Sequence, residues 1–370
     1  MIKICHIVNV ITGKTDGVFT HIKSLVTNLN KNKYEQILVY QGGGIVKEQL
    51  NIKIYEVPEL SKKFSVKAII KIIKICRENN IDIIQAHVVK PYLLSGVANF
   101  ILNKKLIFNY HGLFIKQNKY YNSIGKVLLY SIHIFICLFR KVDLALAPSI
   151  YSKKILLEET QLFPKVMHYY NGFNCNSLIK IKKSVNKIRS IFTIGIVARL
   201  EIQKRLDRAL IIIKKLTEHV ENFRVVIYGD GPLESKLKSL ADELEITNFI
   251  EFRGYYREII EEYKNFDILF FTSDWEGLPL SVFEAMANAV PIVSTNVGGI
   301  PEILIENNCG FVFDKNNIDE GTNYILKLMN DANLREKMGE NGRKAIETKY
   351  NIENFIQSFE EFYSDLMNEK

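Results

Sequence analysis

The chain has 370 residues with a formal net charge of +8 at pH 7, and 47% of its residues are hydrophobic and 24% charged. That length suits about two domains, and that composition excludes a disordered, collagen-like or coiled-coil chain. The charge is unevenly divided, since residues 1–190 hold 29 basic against 10 acidic residues and residues 191–370 hold 20 against 31. These halves carry net charges of +19 and −11, so we expect them to meet different partners or each other.

The first predicted element is a strand at Lys3–Val10, which we interpret as a strand and not as a signal peptide because no cleavage site of small residues follows it. Further strands of the first half are predicted at Gln36–Tyr40, Ile52–Val57, Ile81–Ala86, Leu106–Tyr110 and Leu144–Ala147. Helices are predicted between them at Phe19–Leu29, Val66–Arg77, Pro91–Leu102 and Ile124–Phe139. The polar, lysine-rich stretch at about 174–190 is typical of a linker.

The alternation then restarts. Strands are predicted at Phe192–Val197, Arg224–Tyr228, Phe249–Phe252, Ile268–Thr272, Ile292–Ser294 and Gly310–Phe313. Helices are predicted at Arg205–Thr217, Glu234–Leu244, Glu258–Lys264, Ser281–Ala287, Pro301–Leu304 and, after further helices, Ile352–Met367. Strands alternating with helices indicate parallel sheets, so the sequence predicts an α/β chain of two doubly wound, Rossmann-like domains. Such sheets bind ligands beyond the carboxyl ends of their strands, and we expect a site in the cleft between the domains.

The bulk features point to a cytoplasmic protein. The longest apolar run, Val127–Phe139, is too short for the roughly 20 residues that cross a bilayer. An odd, scattered set of cysteines without a Cys-x-x-Cys pair indicates reduced thiols and neither disulfides nor a zinc site. These cysteines are Cys5, Cys76, Cys137, Cys175 and Cys309.

The densest chemical signal is the stretch 272–302, where a predicted strand ends in a glycine loop before a helix. Glu276 is an acid in that loop, and the backbone of Gly277, Leu278, Pro279 and Leu280 leads to the helix, where free amides bind phosphate. Glu284 follows eight residues later. Ser281 and Glu284 also match a capping box, in which the carboxylate satisfies the amide of the cap residue.

Glu276 and Glu284 together resemble the Glu-x7-Glu motif of retaining glycosyltransferases of the GT-B fold, most closely those of family 4, group 1. The resemblance covers nearly the whole chain and is strongest from Phe192 to Phe313. It implies that Glu276 holds hydroxyls of the donor sugar, that Glu284 holds the ribose, and that the amides of residues 277–280 hold phosphate or sugar. It also implies a first domain at 1–187, joined by a helix at 350–370 that crosses back, and a donor-binding domain at 188–349.

A second signal is Ile196–Lys204, where Arg199 and Lys204 stand between a strand and a helix. Two fixed cations can neutralise a departing diphosphate, and the resemblance assigns them to the donor diphosphate. The alternative is an ordinary solvated helix start. The family usually has glycine after this lysine, whereas this chain has Arg205, which adds a further cation.

Three other elements match the family more loosely. Gly298–Glu302 is a glycine turn beside the expected diphosphate site, Arg253 lies on a strand end near the expected nucleobase, and the turn at Gly229–Pro232 is most simply structural. In the first half, Thr12–Gly17 resembles the glycine loop that faces the donor phosphates, with Gly17 at the helix and an aspartate where the family has a second glycine.

His111 follows a strand and precedes a glycine, and the resemblance places it at the donor sugar; a purely structural role is the alternative. His87 also ends a strand, with a weaker case for function. No group of His, Cys and carboxylate residues shows metal-ligand spacing, and no Asp-x-Asp is present. We therefore expect no metal and no cofactor, with the charge of the leaving diphosphate balanced by Arg199 and Lys204.

The predicted function is metal-independent transfer of a hexosyl or N-acetylhexosaminyl unit from a nucleotide diphosphate sugar to a hydroxyl, with retained configuration. The acceptor is expected to be a glycan or lipid-linked glycan of a bacterial surface polysaccharide. A sugar-nucleotide epimerase of the same fold and a non-catalytic nucleotide-sugar binding protein are the alternatives; retention of both glutamates and both cations favours the transferase.

The helix Ile124–Phe139 is apolar nearly all round, which indicates either deep burial or contact with lipid. Basic residues surround it in the sequence, and each adds about 1 kcal/mol near an anionic surface. We expect peripheral binding at the inner face of the plasma membrane; a core helix with solvated lysines is the alternative. Nucleic acid is not an expected partner, because no recognition motif is present.

Overall fold

The structure is a computed structural model that describes residues 1–9, 17–43, 50–62, 65–111, 123–159, 161–174 and 191–369. The chain divides into two compact units, the first comprising Met1–Gly172 with Ile352–Lys370 and the second Phe173–Asn351. The division falls at residues 172 and 351, against 187 and 349 in the expectation from sequence. The stretch interpreted as a linker lies, from residue 175 to 190, outside the described residues.

The first unit is built on a parallel sheet. Its strands are β1 (Ile2–Ile7), β2 (Tyr34–Tyr40), β3 (Lys53–Glu56), β4 (Ile83–His87), β5 (Lys105–Asn109), β6 (Leu144–Ala147) and β7 (Val166–His168). Its helices are α1 (Gly17–Asn28), α2 (Val66–Glu78), α3 (Val89–Leu102), α4 (Ser123–Leu138), α5 (Ile150–Glu159) and, from the end of the chain, the last helix (Ile352–Asn368). The strand order is β3-β2-β1-β4-β5-β6-β7.

Both faces of this sheet are covered because successive side chains of a strand point to opposite sides. Cys5 and Ile7 pack in a core with residues of α2, α3, α4 and α5. Ile4 belongs to a core on the other side that includes α1 and the last helix. The strands are buried on both faces, which is typical of parallel sheets crossed by helices.

The second unit repeats this plan. Its strands are β8 (Phe192–Val197), β9 (Phe223–Tyr228), β10 (Ile250–Gly254), β11 (Ile268–Phe271), β12 (Ile292–Thr295) and β13 (Gly310–Phe313). Its α-helices are α6 (Leu206–Thr217), α7 (Glu234–Glu243), α8 (Ile259–Glu262), α9 (Leu280–Ala287), α10 (Ile300–Glu306), α11 (Ile318–Asn330) and α12 (Ala332–Thr348), so that the last helix of the chain is α13. The strand order is β10-β9-β8-β11-β12-β13, and the neighbouring strands are parallel.

Each sheet has a point at which the strand order reverses. In the first unit it lies between β1 and β4, and in the second between β8 and β11. In doubly wound sheets the loops beyond such a switch point diverge and leave room for a ligand. The predicted α/β architecture of two Rossmann-like sheets is therefore confirmed, and it defines where each unit is expected to bind.

Three local features differ from or refine the expectation from sequence. Helix α5 and strand β7 were not predicted, because α5 has almost no amphipathic pattern and β7 has three residues. Helix α4 is neither wholly buried nor wholly exposed: Ile136 is buried, whereas Val127 and Leu138 are about two-thirds exposed, at 68% and 67%. Within the described part of the chain, no helix is long and apolar enough to span a bilayer.

Candidate functional site

Two loops meet at the switch point of the second unit, one after β8 and one after β11. The hydroxyl of Thr272 donates to the carbonyl oxygens of Lys204 and Arg205, at 3.1 and 2.9 Å. The amide of Asp274 donates to the carbonyl oxygen of Gln203 at 2.9 Å. The two predicted motifs lie far apart in the sequence, since Arg199 and Asp274 are separated by 75 positions. Backbone contacts nevertheless join them at the carboxyl ends of adjacent strands.

Glu276 and Lys204 form the central contact of this site. Lys204 Nζ lies 2.6 Å from Glu276 Oε1, and the two side chains are only 16% and 5% exposed. Ser273 Oγ donates to the same carboxylate oxygen at 2.6 Å, and Gln203 Nε2 lies 3.4 Å from the other oxygen. Hydrogen bonds and an opposite charge from these partners offset the cost of shielding a carboxylate so well from water. The structure therefore brings together the acid and the cation that the sequence pointed to from separate motifs.

Arg199 is not part of that buried pair. Its side chain is 59% exposed, and its guanidinium lies 3.1 Å from the Glu201 carboxylate. A surface ion pair of this kind contributes little to stability and leaves the side chain free to turn toward an anion.

Arg205 has a structural role that explains the family's preference for glycine. Its backbone is left-handed, with φ of 47°, and it caps the start of α6. Glycine adopts that conformation without cost. Here the arginine is retained by ion pairs, because its guanidinium contacts Asp207 at 2.9 Å and Asp274 at 3.1 Å. Asp274 also receives a bond from Arg208 at 2.8 Å, so Arg205 and Arg208 together hold the loop that follows β11.

The glycine turn at Gly298 packs directly on the Glu276 loop. Gly298 has φ of +62°, and a Cβ there would lie 2.3 Å from the Glu276 carbonyl oxygen. The amide of Gly299 donates to the carbonyl oxygen of Gly277 at 2.7 Å. The glycine turn was only weak evidence for a site in the sequence, but in the structure it fixes the backbone around Glu276.

Helix α9 begins one residue earlier than predicted, and the capping-box interpretation is wrong. Its N-cap is Pro279, whose side chain makes no capping bond, and Leu280 is the first helical residue. The first amides of a helix lack intrahelical partners, and the N-cap side chain supplies none here. Gly277, Leu278, Pro279 and Leu280 therefore lead into an uncapped helix start beside Glu276, the kind of backbone that binds anions.

Glu284 lies one turn into α9. Its carboxylate accepts a hydrogen bond from the hydroxyl of Tyr263 at 2.7 Å. Burial raises the pKa of Glu284, while the tyrosine bond acts in the opposite direction. The carboxylate has therefore lost water and gained one donor, and it retains acceptor capacity for a pair of hydroxyls.

Arg253 stands at the end of β10, apart from these contacts. Its guanidinium donates to Glu251 at 2.7 Å and to the Tyr228 hydroxyl at 2.8 Å. Burial, followed by the neighbouring Glu262 carboxylate, raises the pKa of Tyr228 to about 12. The role of Arg253 near a nucleobase stays a prediction.

In the first unit, most of the predicted glycine loop, residues 12–16, lies outside the described residues. Gly17 is the first residue of α1, and a Cβ there would meet nothing within 4 Å. The structure thus gives no steric reason for glycine at this position. Its assignment to the donor stays a prediction.

His111 belongs to a cluster of four histidines at the switch point of the first unit. His87 Nδ1 lies 3.0 Å from His111 Nε2, and His87 Nε2 lies 3.2 Å from His6 Nδ1. The ring of His21 lies 5.0 Å from that of His111. Burial lowers the pKa of His6 from 6.5 to about 4, and burial lowers the pKa of His21 and of His87 well below 6.5. The buried members of this cluster are therefore neutral at pH 7.

The sequence did not indicate several of these neighbours. His6 and His21 carried no motif signal, and the spacing of residues 21, 87 and 111 along the chain did not predict the group that the fold assembles. Ser273 stood inside the conspicuous stretch and Tyr263 outside it. The strand-end positions that singled out His87 and His111 would also have indicated Ser273 after β11, but not the side chains that reach in from helices.

Solved structures share this architecture. HepE of Anabaena, crystallised in complex with UDP-glucose, matches the chain with a TM-score of 0.80 at 18% sequence identity, over 99% of this chain and 100% of HepE. At that identity the likeness establishes the fold alone. Two doubly wound units with these strand orders define the fold class as GT-B.

The family follows from the sequence. The profile described as Glycosyltransferase Family 4 matches residues 15–177, and the profile described as Glycosyl transferases group 1 matches residues 179–345. The chain belongs to this family of glycosyltransferases, family 4, group 1.

Two curated relatives are similar over nearly their whole length. The capsular polysaccharide biosynthesis glycosyltransferase CapM of Staphylococcus aureus is 24% identical over 357 residues, covering 92% of each chain. The UDP-Gal:alpha-D-GlcNAc-diphosphoundecaprenol alpha-1,3-galactosyltransferase of Escherichia coli is 24% identical over 363 residues, covering 92% of this chain and 91% of its own.

Proposed function

We propose that this glycosyltransferase moves a hexosyl or N-acetylhexosaminyl unit from a nucleotide diphosphate sugar to a hydroxyl acceptor, with retention of the anomeric configuration. The observation that carries the proposal is the shielded pair of Lys204 and Glu276 beside an uncapped helix start. A cation, a carboxylate and free amides at one switch point suit a ligand that has both phosphates and sugar hydroxyls.

The chemical roles follow from charge. As the glycosidic bond breaks, the diphosphate gains negative charge and the sugar becomes an oxocarbenium-like cation. Lys204, Arg199 and the backbone N–H groups of Gly277, Leu278 and Leu280 stabilise the leaving diphosphate. Glu276 accepts hydrogen bonds from the hydroxyls of the sugar, and Lys204 turns from the carboxylate to the phosphate when donor binds.

The remaining assignments are part of the same proposal. Glu284 holds the ribose, Arg253 and Gly17 line the donor site, and His111 contacts the sugar. No protein nucleophile attacks the sugar; a phosphate oxygen of the leaving group helps to deprotonate the acceptor on the same face. The transfer itself needs no metal ion or cofactor, because Arg199 and Lys204 balance the charge of the diphosphate.

We propose a glycan or lipid-linked glycan as the acceptor and a role in bacterial surface polysaccharide synthesis. The names of two relatives support this: one is a capsular polysaccharide glycosyltransferase, and the other acts on a diphosphoundecaprenol-linked sugar. The HepE structure with UDP-glucose supports a uridine nucleotide as the first donor base to try.

The deciding experiment incubates the protein with a panel of nucleotide sugars, with and without lipid-linked acceptors, and measures released nucleoside diphosphate and the anomeric configuration of the product. We expect acceptor-dependent release that Glu276→Gln lowers at least a hundredfold. Conversion of the donor sugar without an acceptor would support an epimerase instead. Donor binding without any turnover would support a binding protein.

We further propose that α4 and its neighbours bind an anionic membrane surface, so that the enzyme works at the cytoplasmic face of the plasma membrane. Phe135 and Phe139 are 50% and 56% exposed, and their rings lie 5.0 and 5.6 Å from that of Phe100. Lys141 Nζ lies 5.6 Å above the Phe100 ring, so a cation flanks this apolar surface. Aromatic and basic side chains side by side are typical of interfacial binding.

Flotation with vesicles of neutral or anionic lipid tests this surface. We expect binding to anionic vesicles that high salt weakens, and a loss of binding when Phe135 and Phe139 are both changed to serine. Ile305→Ser removes an equally exposed residue, 66% exposed, from the second unit and is expected to leave binding unchanged. Equal flotation of both variants would contradict the proposal.

A further inference from the structure

We infer that His21, His87 and His111 form a site for one divalent transition-metal ion of the zinc type, at the switch point of the first unit. One ring nitrogen from each histidine lies within 4.8 Å of the others. Three imidazoles bound at 2.0–2.1 Å around a tetrahedral zinc ion stand roughly 3.3 Å apart, so only small ring rotations separate the observed arrangement from a bound one.

His21 presents a lone pair to the site. Its Nδ1 lies 3.3 Å from Asn171 Oδ1, which only accepts hydrogen bonds, so the ring donates through Nδ1 and is unprotonated at Nε2. Nε2 is buried and has no hydrogen-bond partner among the residues that the structure describes. A buried ring nitrogen without a partner is costly, and a metal ion would satisfy it.

A chain of hydrogen bonds leaves His87, like His21, with one unprotonated ring nitrogen. Gln36 Oε1 lies 3.0 Å from His6 Nε2 and accepts its proton, so His6 Nδ1 carries a lone pair. That lone pair accepts from His87 Nε2 at 3.2 Å, which leaves His87 Nδ1 unprotonated. Outer partners that fix ring tautomers in this way are typical of metal-binding histidines.

His111 completes the set. The amide nitrogen of Asn109 lies 3.0 Å from His111 Nε2 and donates to it, so this nitrogen also carries a lone pair. The amide of Asn109 is oriented by Gln85, whose Nε2 donates to Asn109 Oδ1 at 2.7 Å. On metal binding the amide would give up the imidazole and keep its bond to the Tyr169 hydroxyl, 2.8 Å away.

The three lone pairs converge on one volume. In particular His87 Nδ1 and His111 Nε2 are only 3.0 Å apart, and two acceptors at that distance repel unless a cation lies between them. Imidazole ligands favour zinc and its neighbours in the transition series over magnesium or calcium. Three neutral ligands leave a fourth position for water.

The site shares His111 with the donor-sugar contact proposed above, but metal uptake is measured without a donor, so its failure and a failure of the transferase proposal are distinguishable. The full-length protein, freed of any purification tag and treated with a chelator, is titrated with Zn²⁺ by calorimetry and with Co²⁺ by visible absorption. We expect one ion per chain and the absorption bands of a nitrogen-rich cobalt site. Absence of saturable one-to-one uptake would overturn the inference. A proton held between the ring nitrogens of His87 and His111 would then account for their short distance.

Matched variants locate the ion. His21→Phe keeps ring packing against Phe355 and Phe359, whose centroids lie 5.3 and 5.4 Å away, but removes the ligand nitrogen. We expect at least a hundredfold weaker binding, beyond the 10–100-fold of a lost outer partner. His219→Ala removes an exposed histidine of the second unit and is expected to change nothing. Equal affinity of the wild type and His21→Phe, or a loss in His219→Ala, would contradict the assignment.

A measurement on the wild-type chain does not depend on how the variants fold. With ¹⁵N-labelled histidine, the seven imidazoles give separate long-range proton–nitrogen signals. We expect Zn²⁺ to shift the unprotonated nitrogens of three rings, namely Nε2 of two and Nδ1 of one. Shifts confined to exposed rings would overturn the site.

Discussion

The two switch points have the same topology and opposite chemistry. In the second unit, β8 and β11 lead into charged side chains, with Lys204 2.6 Å from Glu276. In the first unit, β1 and β4 lead into a cluster of imidazoles, with His87 3.0 Å from His111 and with the pKa of His87 lowered by burial. One fold thus supplies an ionic site in one half of the chain and a neutral polar site in the other.

This difference shows that net charge does not describe a site. The half that carries −11 holds the paired cation, and the half that carries +19 holds the uncharged cluster. An ion removed from water needs a fixed partner, whereas a buried histidine can become neutral by losing a proton. The excess charge of each half therefore lies outside these two sites.

The largest expected effect tests the ionic site. Lys204→Met keeps the length of the side chain and removes the charge that faces Glu276. If this charge stabilises the leaving diphosphate, we expect kcat/KM to fall by about 10²–10³, the usual cost of one lost transition-state contact. Lys215→Met is the matched control, since that lysine pairs with Asp319 at the start of α11. Steady-state kinetics of both variants decide the point; similar rates for the two would remove Lys204 from the reaction.

The next effect tests how the loop of Glu276 is positioned. Gly298→Ala introduces a Cβ 2.3 Å from a carbonyl oxygen at a positive φ. We expect a loss of about 2–4 kcal/mol in the free energy of unfolding together with weaker donor binding. Gly43→Ala has a similar backbone strain, with φ of +84°, but nothing within 4 Å of its Cβ, so it should cost only about 1 kcal/mol. Equal losses in urea denaturation would mean that the contact with the Glu276 backbone is unimportant.

These two sites differ in how much the sequence reveals. Glu276 and Lys204 were predicted because each lies in a loop after a strand, where glycine and charge stand out from the apolar pattern. Most strands and helices along the chain followed from the periodicity of the apolar residues. His21 was not found, because it occupies a buried position of an amphipathic helix and only tertiary packing brings it to the strand ends. The capping box failed because Pro279 fixed the helix start one residue before Ser281.

A smaller effect is expected at Glu284, where binding and stability oppose each other. Its pKa is raised by burial, so the unfolded chain ionises first as pH rises. The resulting penalty is absent below the unfolded pKa, grows as pH rises toward the folded pKa and is complete above it. Glu284→Gln keeps an acceptor for Tyr263 and should therefore be more stable than the wild type at pH 7 but equally stable near pH 4. Loss of a charged acceptor for the ribose should weaken donor binding about tenfold. Thermal melts at the two pH values and donor titration measure both; a variant less stable at pH 7 would contradict the sign.

The smallest effect tests the neutral site from its outer edge. The hydroxyl of Tyr363, on α13, donates to Gln85 Oε1 at 2.6 Å, and the amides of Gln85 and Asn109 transmit that orientation to His111. Tyr363→Phe leaves a buried acceptor without its donor, so we expect a loss of about 1–2 kcal/mol in the free energy of unfolding. Tyr324→Phe removes a hydroxyl from a more exposed bond to Glu320 and should cost less than about 0.5 kcal/mol. If this chain of hydrogen bonds also sets the tautomer of His111, Tyr363→Phe will weaken Co²⁺ binding by the first unit and leave the rate effect of Lys204→Met unchanged. An unchanged cobalt affinity would mean that α13 does not influence the histidine cluster.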